Sequence, residues 1–448
     1  MNVAIGKIKQ LLCLAGDIAM FYLALFLTLA IRYGVDWQRQ WQIHFLPFTI
    51  IYFSSLIVFY IIGLYDLSLA RNNLFFFMTL TQALVISVIL AVLFFYFIPY
   101  FGIAPKTNLF VSFLIFSVLF VLWRQFYNQF IKSSALLNNV LILGQDQETK
   151  ELIQYVKNNP QLGHHIKKVL APEEVRLLND LIDIIIKEKI QTVVIDADPH
   201  KDKNLIQNLY QCLPLKIIVA DLPTFYEKIT GKIPVSAIGE IWFLQNLMND
   251  QKTLFKGIKR IMDILFGILL GAPTLILTPL IALLIKIDSR GPIFYRQKRV
   301  GRDSRIFDII KFRTMVQDAE KYGAQWIKEN DKRVTRVGKF LRKTRLDELP
   351  QIWNILKNDM SFVGPRPERP EFAFSENLLE QIPFYQVRQS IKPGLTGWAQ
   401  TKYPDSSSVK DSVQKLQYDL YYIKNRSIAI DLAIILKTIK IILSGGGR

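Results

Sequence analysis

The sequence predicts a membrane protein of α plus α/β class. An N-terminal transmembrane four-helix bundle is expected over 1–132, a degenerate Rossmann-like domain over 133–250, and a C-terminal mixed α/β domain over 251–448 with a re-entrant membrane helix at 257–286. Three observations lead there: four long apolar segments come first, short β-rich runs then alternate with helical ones, and a further apolar segment follows with strongly basic flanks. At 448 residues and 51% hydrophobic content the chain is too long for one ordinary domain and too apolar for a water-soluble class. The net charge of +18 lies mostly outside the apolar segments and suits anionic lipid or polyanionic substrates; beside membrane segments, nucleic acid is not the expected partner. Cys13 and Cys212 lie in different regions and the four histidines follow no zinc spacing, so no disulfide framework or cysteine metal site is expected.

The apolar segments 10–31, 44–63, 76–99 and 106–124 each approach the ~20 residues that cross a bilayer as helix. The first lacks a small-residue cleavage site and a second span follows closely, which argues against a cleavable signal peptide. Lys7 and Lys9 before the first segment, and Arg124 and Lys132 at the end of the fourth, favour both ends of the bundle inside. The bundle is read as a structural anchor.

Beyond it, Val140–Leu143, Thr192–Ile195 and Leu215–Val219 are strand-like runs separated by helical patterns, the signature of a parallel sheet. Gly144 stands where a dinucleotide-binding turn begins, but the second and third glycine positions hold Asp146 and Thr149. His164 and His165 occupy the place of a ribose-binding acid. A regulatory or spacer module is expected in preference to a nucleotide site.

The segment from Ile261 through Ile285 is long enough to span a bilayer. Lys252, Lys256, Lys259 and Arg260 precede it, and Lys286, Arg290, Arg296, Lys298, Arg299 and Arg302 follow it. A spanning helix would carry one basic cluster to the outer face, whereas a helix that enters and returns keeps both inside. Pro273, near mid-segment, is the expected break, and Pro279 is a second weak point.

The chemistry follows. Asp288–Pro292 reads as a turn, with Ile293–Tyr295 and Ile306–Ile310 as a hairpin after it. Lys311 and Arg313 alternate along an extended chain, so they project to one side as a candidate phosphate grip; solvated surface charge is the plain alternative. Leu349, Ile352, Trp353 and Leu356 repeat at helical spacing, with Pro350 in the first turn, placing Asp347 and Glu348 at a helix N-terminus. Capping alone accounts for one acid there. Arg342, Lys343 and Arg345 just upstream add a field that attracts phosphate and keeps a carboxylate ionised, so that it can act as a nucleophile with a shared divalent ion, Mg²⁺ being the expected one.

From about Lys256 to Ser444 the chain resembles the monotopic phosphoglycosyl transferases, bacterial sugar transferases that act on polyprenyl phosphate. The resemblance rests on Asp288–Pro292, Gln297–Gly301, Lys311–Met315, Arg345–Gln351, Gly364–Pro370 and Lys392–Trp398; the bundle and middle domain ahead of them are similar to the long form of that family. It implies a two-step transfer. The residue matching Asp347 attacks the β-phosphate of a nucleotide-diphosphate sugar, and polyprenyl (undecaprenyl) phosphate then collects the phosphosugar. Glu348 partners it in metal binding or proton handling, Arg342 and Arg366 fall at phosphate-contact positions, and Mg²⁺ is the implied cofactor. It also implies a helix broken near Pro273, a bacterial inner-membrane location and a catalytic domain on the cytoplasmic face. Ala272 stands where the family often has Ser.

Trp398, Tyr403, Tyr418, Tyr421 and Tyr422 are candidate headgroup-zone aromatics, with core packing as the alternative, and 428–443 reads either as an amphipathic membrane helix or as the end of the catalytic core. The bundle and middle domain leave surfaces for a homodimer. Two other functions are compatible in outline: a membrane-tethered nucleotide-sugar oxidoreductase or epimerase, and a non-catalytic scaffold of polysaccharide export. The lost glycines oppose the first, and the intact dyad the second.

Overall fold

A computed structural model describes residues 2–66, 74–98, 106–131, 137–171, 181–196, 207, 209–247, 253–319, 331–375, 378–403 and 408–443. Lys132 and Lys252, counted above as flanking charges, and Ser444 lie outside the described residues. The chain divides into two compact units, Met1–Ile229 and Thr230–Arg448.

In the first unit each long apolar run is helical, because only a helix satisfies its own backbone groups in hydrocarbon. The four helices are α1 (Asn2–Tyr33), α2 (Trp37–Ile62), α3 (Leu74–Phe97) and α4 (Lys106–Ile131). Among the described residues, four candidate spans are long and apolar enough to cross a membrane: 8–62, which takes in α1 and α2, then 76–97, 107–130 and 254–288. Stacked rings fill the bundle: Phe21 lies on Phe116 at 3.8 Å and on Tyr52 at 4.4 Å, and Phe59 on Phe120 at 5.0 Å. Arg124 is not a flanking charge, because α4 runs on past it and its guanidinium is buried. Its Nη2 pairs with Asp17 Oδ2 at 2.6 Å and its Nη1 donates to Leu64 O at 2.9 Å. The pair binds α1, α4 and the turn after α2 together; it does not report topology.

The same unit carries a parallel sheet of β1 (Asn138–Leu143), β2 (His164–Leu170), β3 (Thr192–Ile195) and β4 (Ile218–Asp221) in the order β2-β1-β3-β4. Helices α5 (Gln147–Asn158), α6 (Leu181–Lys187) and α7 (Leu222–Thr230) accompany it. The expected parallel sheet is present. β2 escaped the sequence reading because it is an edge strand whose polar and apolar residues both face outward, with Leu170 alone fully buried. The run expected at 215–219 starts as strand only at Ile218, since Leu213–Leu215 forms a 3₁₀ turn. At the crevice beyond β1 and β3, Gly144 (φ +154°) abuts Asp196, whose Oδ2 accepts a 2.5 Å hydrogen bond from Thr149.

The second unit begins before the expected boundary. Ile233, Val235 and Ile238, with α8 (Glu240–Leu247), join a core containing Leu378, Ile382, Leu416 and Leu420. Helix α9 (Thr253–Asp288) is one 36-residue helix holding both Pro273 and Pro279, so their missing N–H groups are accommodated within helix and not in a loop. Lys259 Nζ meets Asp431 Oδ2 at 2.6 Å, Arg260 donates to the carbonyls of Ile355 and Leu356, and Asp263 Oδ1 accepts from Ser361 Oγ and the Phe362 N–H. Its middle shows Leu275 and Ile276, 74% and 78% exposed.

Strands β5 (Phe294–Val300) and β6 (Ile306–Phe312) form the expected hairpin, longer than the apolar runs suggested, with Phe294 opposite Phe312. After α10 (Arg336–Lys343) and α11 (Ile352–Leu356), β7 (Ser361–Val363) pairs in parallel with β8 (Gly394–Thr396). Helices α12 (Leu378–Gln381), α13 (Trp398–Lys402), α14 (Val409–Asn425) and α15 (Ile428–Leu443) complete the unit. Of the two readings of 428–443, core packing is observed: Ile434 is fully buried beside Ile355, Met360 and Tyr422. Trp398, Tyr403, Tyr421 and Tyr422 likewise have internal partners. Trp398 Nε1 donates to Gly231 O and stacks on Tyr421, Tyr403 donates to Asp411, and Tyr422 donates to Asp431.

Gly364, Gly394 and Gly397 mark a backbone crossing. A Cβ on Gly394 would lie 2.1 Å from Gly364 N, and one on Gly397 would lie 2.2 Å from Gly364 O. Gly394→Ala should cost on the order of 1–3 kcal/mol of stability and so lower the thermal midpoint, because main chain cannot swing aside. Gly239→Ala, whose added carbon meets nothing within 4 Å, should change it little. Scanning fluorimetry in detergent compares the two.

Candidate active site

Residues Leu346–Gln351 form a 3₁₀ turn leading into α11, so Asp347 and Glu348 stand in that turn and not in the first turn of an α-helix. Pro350 has no N–H to return to Leu346 O, and Arg345 enters at φ +57°, which together tighten the chain. The inward face carries Ile352 and Ile355. Trp353, read as part of the apolar stripe, is 55% exposed with Lys357 Nζ 5.5 Å from its ring centre.

The two neighbouring acids meet different surroundings. Glu348 Oε1 accepts from Lys311 Nζ at 3.0 Å and Arg366 Nη2 at 3.2 Å, with Arg345 Nη1 at 3.7 Å. These cations come from β6, the loop after β7 and the residue before the turn. Asp347 Oδ1 is buried and has no hydrogen-bond partner. Burial pushes both acids upward. For Glu348 the charges of Lys311, Arg366 and Arg345 overcome it and hold the carboxyl far below the usual range, while Asp347, buried beside that anion, is raised. Burial also lowers Lys311, against the pull of Glu348.

The remaining predicted residues divide. Arg366 and Lys311 converge on Glu348. Arg342 Nε donates to Thr314 Oγ1 at 2.8 Å and acts on Asp347 through its charge. Arg313 does not share a grip with Lys311: its Nη2 donates to Ser289 O and Oγ, and a Cβ on Gly291 would collide with its Nη1. The Arg313 N–H still bonds to Ile293 O at 2.9 Å just past the end of β6, and the alternation rule could not foresee that Ser289 would take up its side chain. Arg345 completes the cation set and was legible from its place before the dyad; Arg299 and Arg388, which hold the Arg366 loop, were not.

Among the described residues, no three His, Cys, Asp or Glu side chains gather into a metal cage. A site for Mg²⁺ needs none, since that ion accepts one or two carboxylates with substrate phosphates. The donor that fits is the Asp347 carboxylate, since Glu348 already serves three cations.

The family model of the bacterial sugar transferases matches residues 254–445, which contain every residue of this site. A UDP-glucose:undecaprenyl-phosphate glucose-1-phosphate transferase of Xanthomonas campestris pv. campestris is 33% identical over 344 residues, covering 71% of this chain and 69% of its own. The chain belongs to the bacterial sugar transferases. A UDP-N-acetylgalactosamine-undecaprenyl-phosphate N-acetylgalactosaminephosphotransferase of Aeromonas hydrophila is 41% identical over 242 residues, 53% of this chain and 55% of that one. A putative undecaprenyl-phosphate N-acetylgalactosaminyl 1-phosphate transferase of Bacillus subtilis is 44% identical over 141 residues, 32% of this chain and 78% of that one. The chain thus spans only about half the length of the Aeromonas relative. The match to the family model lies wholly within the unit that carries the dyad.

Replacing either acid should move stability in opposite directions. An acid raised by folding destabilises the native state above its native pKa, and that cost fades as pH falls toward the ~4 of a free carboxyl. Metal-free Asp347→Asn should therefore melt higher than the parent at pH 7, the difference shrinking on acidification. Glu348 is depressed, so its stabilisation is present at pH 7 and is lost only well below pH 4. Glu348→Gln should cost on the order of 3 kcal/mol at pH 7 by stranding three cations. Thermal unfolding of both variants across pH 4–8 reads the two signs.

Proposed function

We propose that this protein transfers a sugar 1-phosphate from a nucleotide-diphosphate sugar, with uridine as the favoured nucleoside, to a polyprenyl phosphate such as undecaprenyl phosphate. The observation that carries the proposal is the unpartnered Asp347 oxygen beside a carboxylate pinned by three cations. The printed names of the relatives support the same donor and acceptor classes.

Asp347 Oδ1 attacks the β-phosphorus, a P–O bond to the α-phosphate breaks, and nucleoside monophosphate leaves with the electron pair. An oxygen of the lipid phosphate then attacks the aspartyl-bound phosphorus and returns the carboxylate, giving a polyprenyl-diphosphate-linked sugar. Lys311, Arg345 and Arg366 offset the charge of the diphosphate and of the departing monophosphate. Arg342 adds its field at Asp347. Mg²⁺, held by Asp347 together with donor phosphate oxygens, would neutralise charge at the reacting phosphorus and lower the pKa that burial has raised.

Re-entry of α9 is part of this reading. Arg260 binds the carbonyls of 355 and 356, and a Cβ on Gly267 would touch Leu356; farther along, Ile281 and Ile285 share a cluster with Leu346 and Leu349. In a straight helix residues 260 and 285 are about 37 Å apart, whereas the helical stretch from 346 to 356 covers about 15–20 Å. That mismatch supports a helix bent in its exposed middle, near Pro273. Both basic flanks then stay on one side, which supports a catalytic unit at the cytoplasmic face of a bacterial inner membrane, at headgroup depth, where the lipid phosphate meets a water-soluble donor.

The dinucleotide alternative finds no support. Asp196, whose Oδ2 is taken by Thr149, and the neighbouring Asp146 stand in the crevice where pyrophosphate would lie.

Two outcomes are expected. Asp347→Asn should lose monophosphate release from donor by at least about 10³-fold, and the parent, quenched with donor before acceptor is added, should carry one sugar phosphate by intact mass where the variant carries none. Normal release by the variant would sink the covalent scheme. Cysteines at residues 250 and 302 of a Cys13→Ala/Cys212→Ala background, the Arg302 side chain being 52% exposed, should both react with a membrane-impermeant reagent from the cytoplasmic side; labelling from opposite sides would make α9 a spanning helix.

A further inference from the structure

Arg366 reaches Glu348 from Gly364-Pro365-Arg366-Pro367-Glu368, a loop outside regular structure after the three-residue strand β7. Its main chain is held from behind by Arg388. Nη2 of Arg388 donates to Arg366 O at 3.2 Å, Nη1 donates to Tyr385 OH at 2.6 Å and approaches Glu368 Oε1 at 3.4 Å, and Nε donates to Asp419 Oδ2 at 2.8 Å. Arg388 and Asp419 are 6% and 1% exposed at the side chain. A second guanidinium closes the other end, with Arg299 Nη1 donating to Pro367 O at 3.0 Å and Val300 N–H to Glu368 O at 2.9 Å.

The plain reading is a core ion pair joining α14 to the 3₁₀ turn Tyr385–Ser390. A buried ion pair gains little over apolar packing of the same volume, so stability alone does not account for it. Asp419 uses one edge of the guanidinium, and Nη2 with part of Nη1 points into the loop that carries Arg366. A flat fork with fixed angles sets a carbonyl position in a way a single ammonium cannot.

We infer that Arg388, oriented by Asp419, is a positioning residue that sets the main chain of Arg366 and thereby aims its side chain at Glu348 and the donor diphosphate. The catalytic consequence rests on the function proposed above; the positioning itself does not.

The test uses the full chain in detergent or nanodiscs. Arg388→Lys keeps a charge for Asp419 but loses the fork. The double variant Arg388→Met/Asp419→Leu removes the pair with packing retained and serves if the single variant does not fold. Hydrogen exchange at the Arg366, Glu368 and Arg369 amides should accelerate by at least about tenfold, with α14 unchanged. Monophosphate release should fall about 10–100-fold, the range for lost supporting contacts. In an Arg366→Ala background the same change should cost less than about twofold more. Unchanged loop exchange, or an equal loss in that background, overturns the inference. Faster loop exchange in a protein that releases no monophosphate from any donor would uphold the positioning and defeat the proposed reaction.

Discussion

The second unit depends on the convergence of Lys311, Arg345 and Arg366 on a single carboxylate, that of Glu348. Three cations from separate stretches of chain repel one another, and Glu348 offsets that repulsion at the point where they meet. The same arrangement divides the labour of adjacent acids. Glu348 is fixed as a permanent anion. Asp347, one residue away in a tight turn, keeps an oxygen without a partner and is raised by burial and by the charge beside it. The transfer proposed above asks for an unengaged acid and a cationic phosphate site, and this arrangement is compatible with both.

Much of the surrounding motif content serves to hold this convergence in place. Gly364, Gly394 and Gly397 exist for a close crossing of main chain, Arg313 closes the turn at Ser289, and Trp398 anchors Gly231 through a 2.8 Å hydrogen bond. Helix α9 is tied in through Lys259, Arg260 and Asp263, so an apolar helix and a charged site share one rigid frame.

The parallel sheet of the first unit has a different history of constraint. Its strand order puts the crevice of a doubly wound sheet beyond β1 and β3, and Asp196 with Thr149 now fills it. The sheet is held by a buried core that includes Leu141, Leu143, Val193 and Ile195.

The apolar runs were readable as helices and the run from 192 to 195 as a strand, because period and composition are local properties. The dyad was readable too, since its neighbours in sequence are cations. Sequence reasoning misjudged Arg124 and the Lys311/Arg313 pair for one reason: charge along a chain does not say which distant side chain will answer it. Asp17 is 107 residues from Arg124, and Glu348 is 37 from Lys311. By itself the sequence determined which segments are apolar, which turn is acidic and where the cations cluster. Only the tertiary structure decided which of two adjacent acids is pinned and which is left with an open oxygen, because desolvation and long-range ion pairing are set by what folding brings together in space.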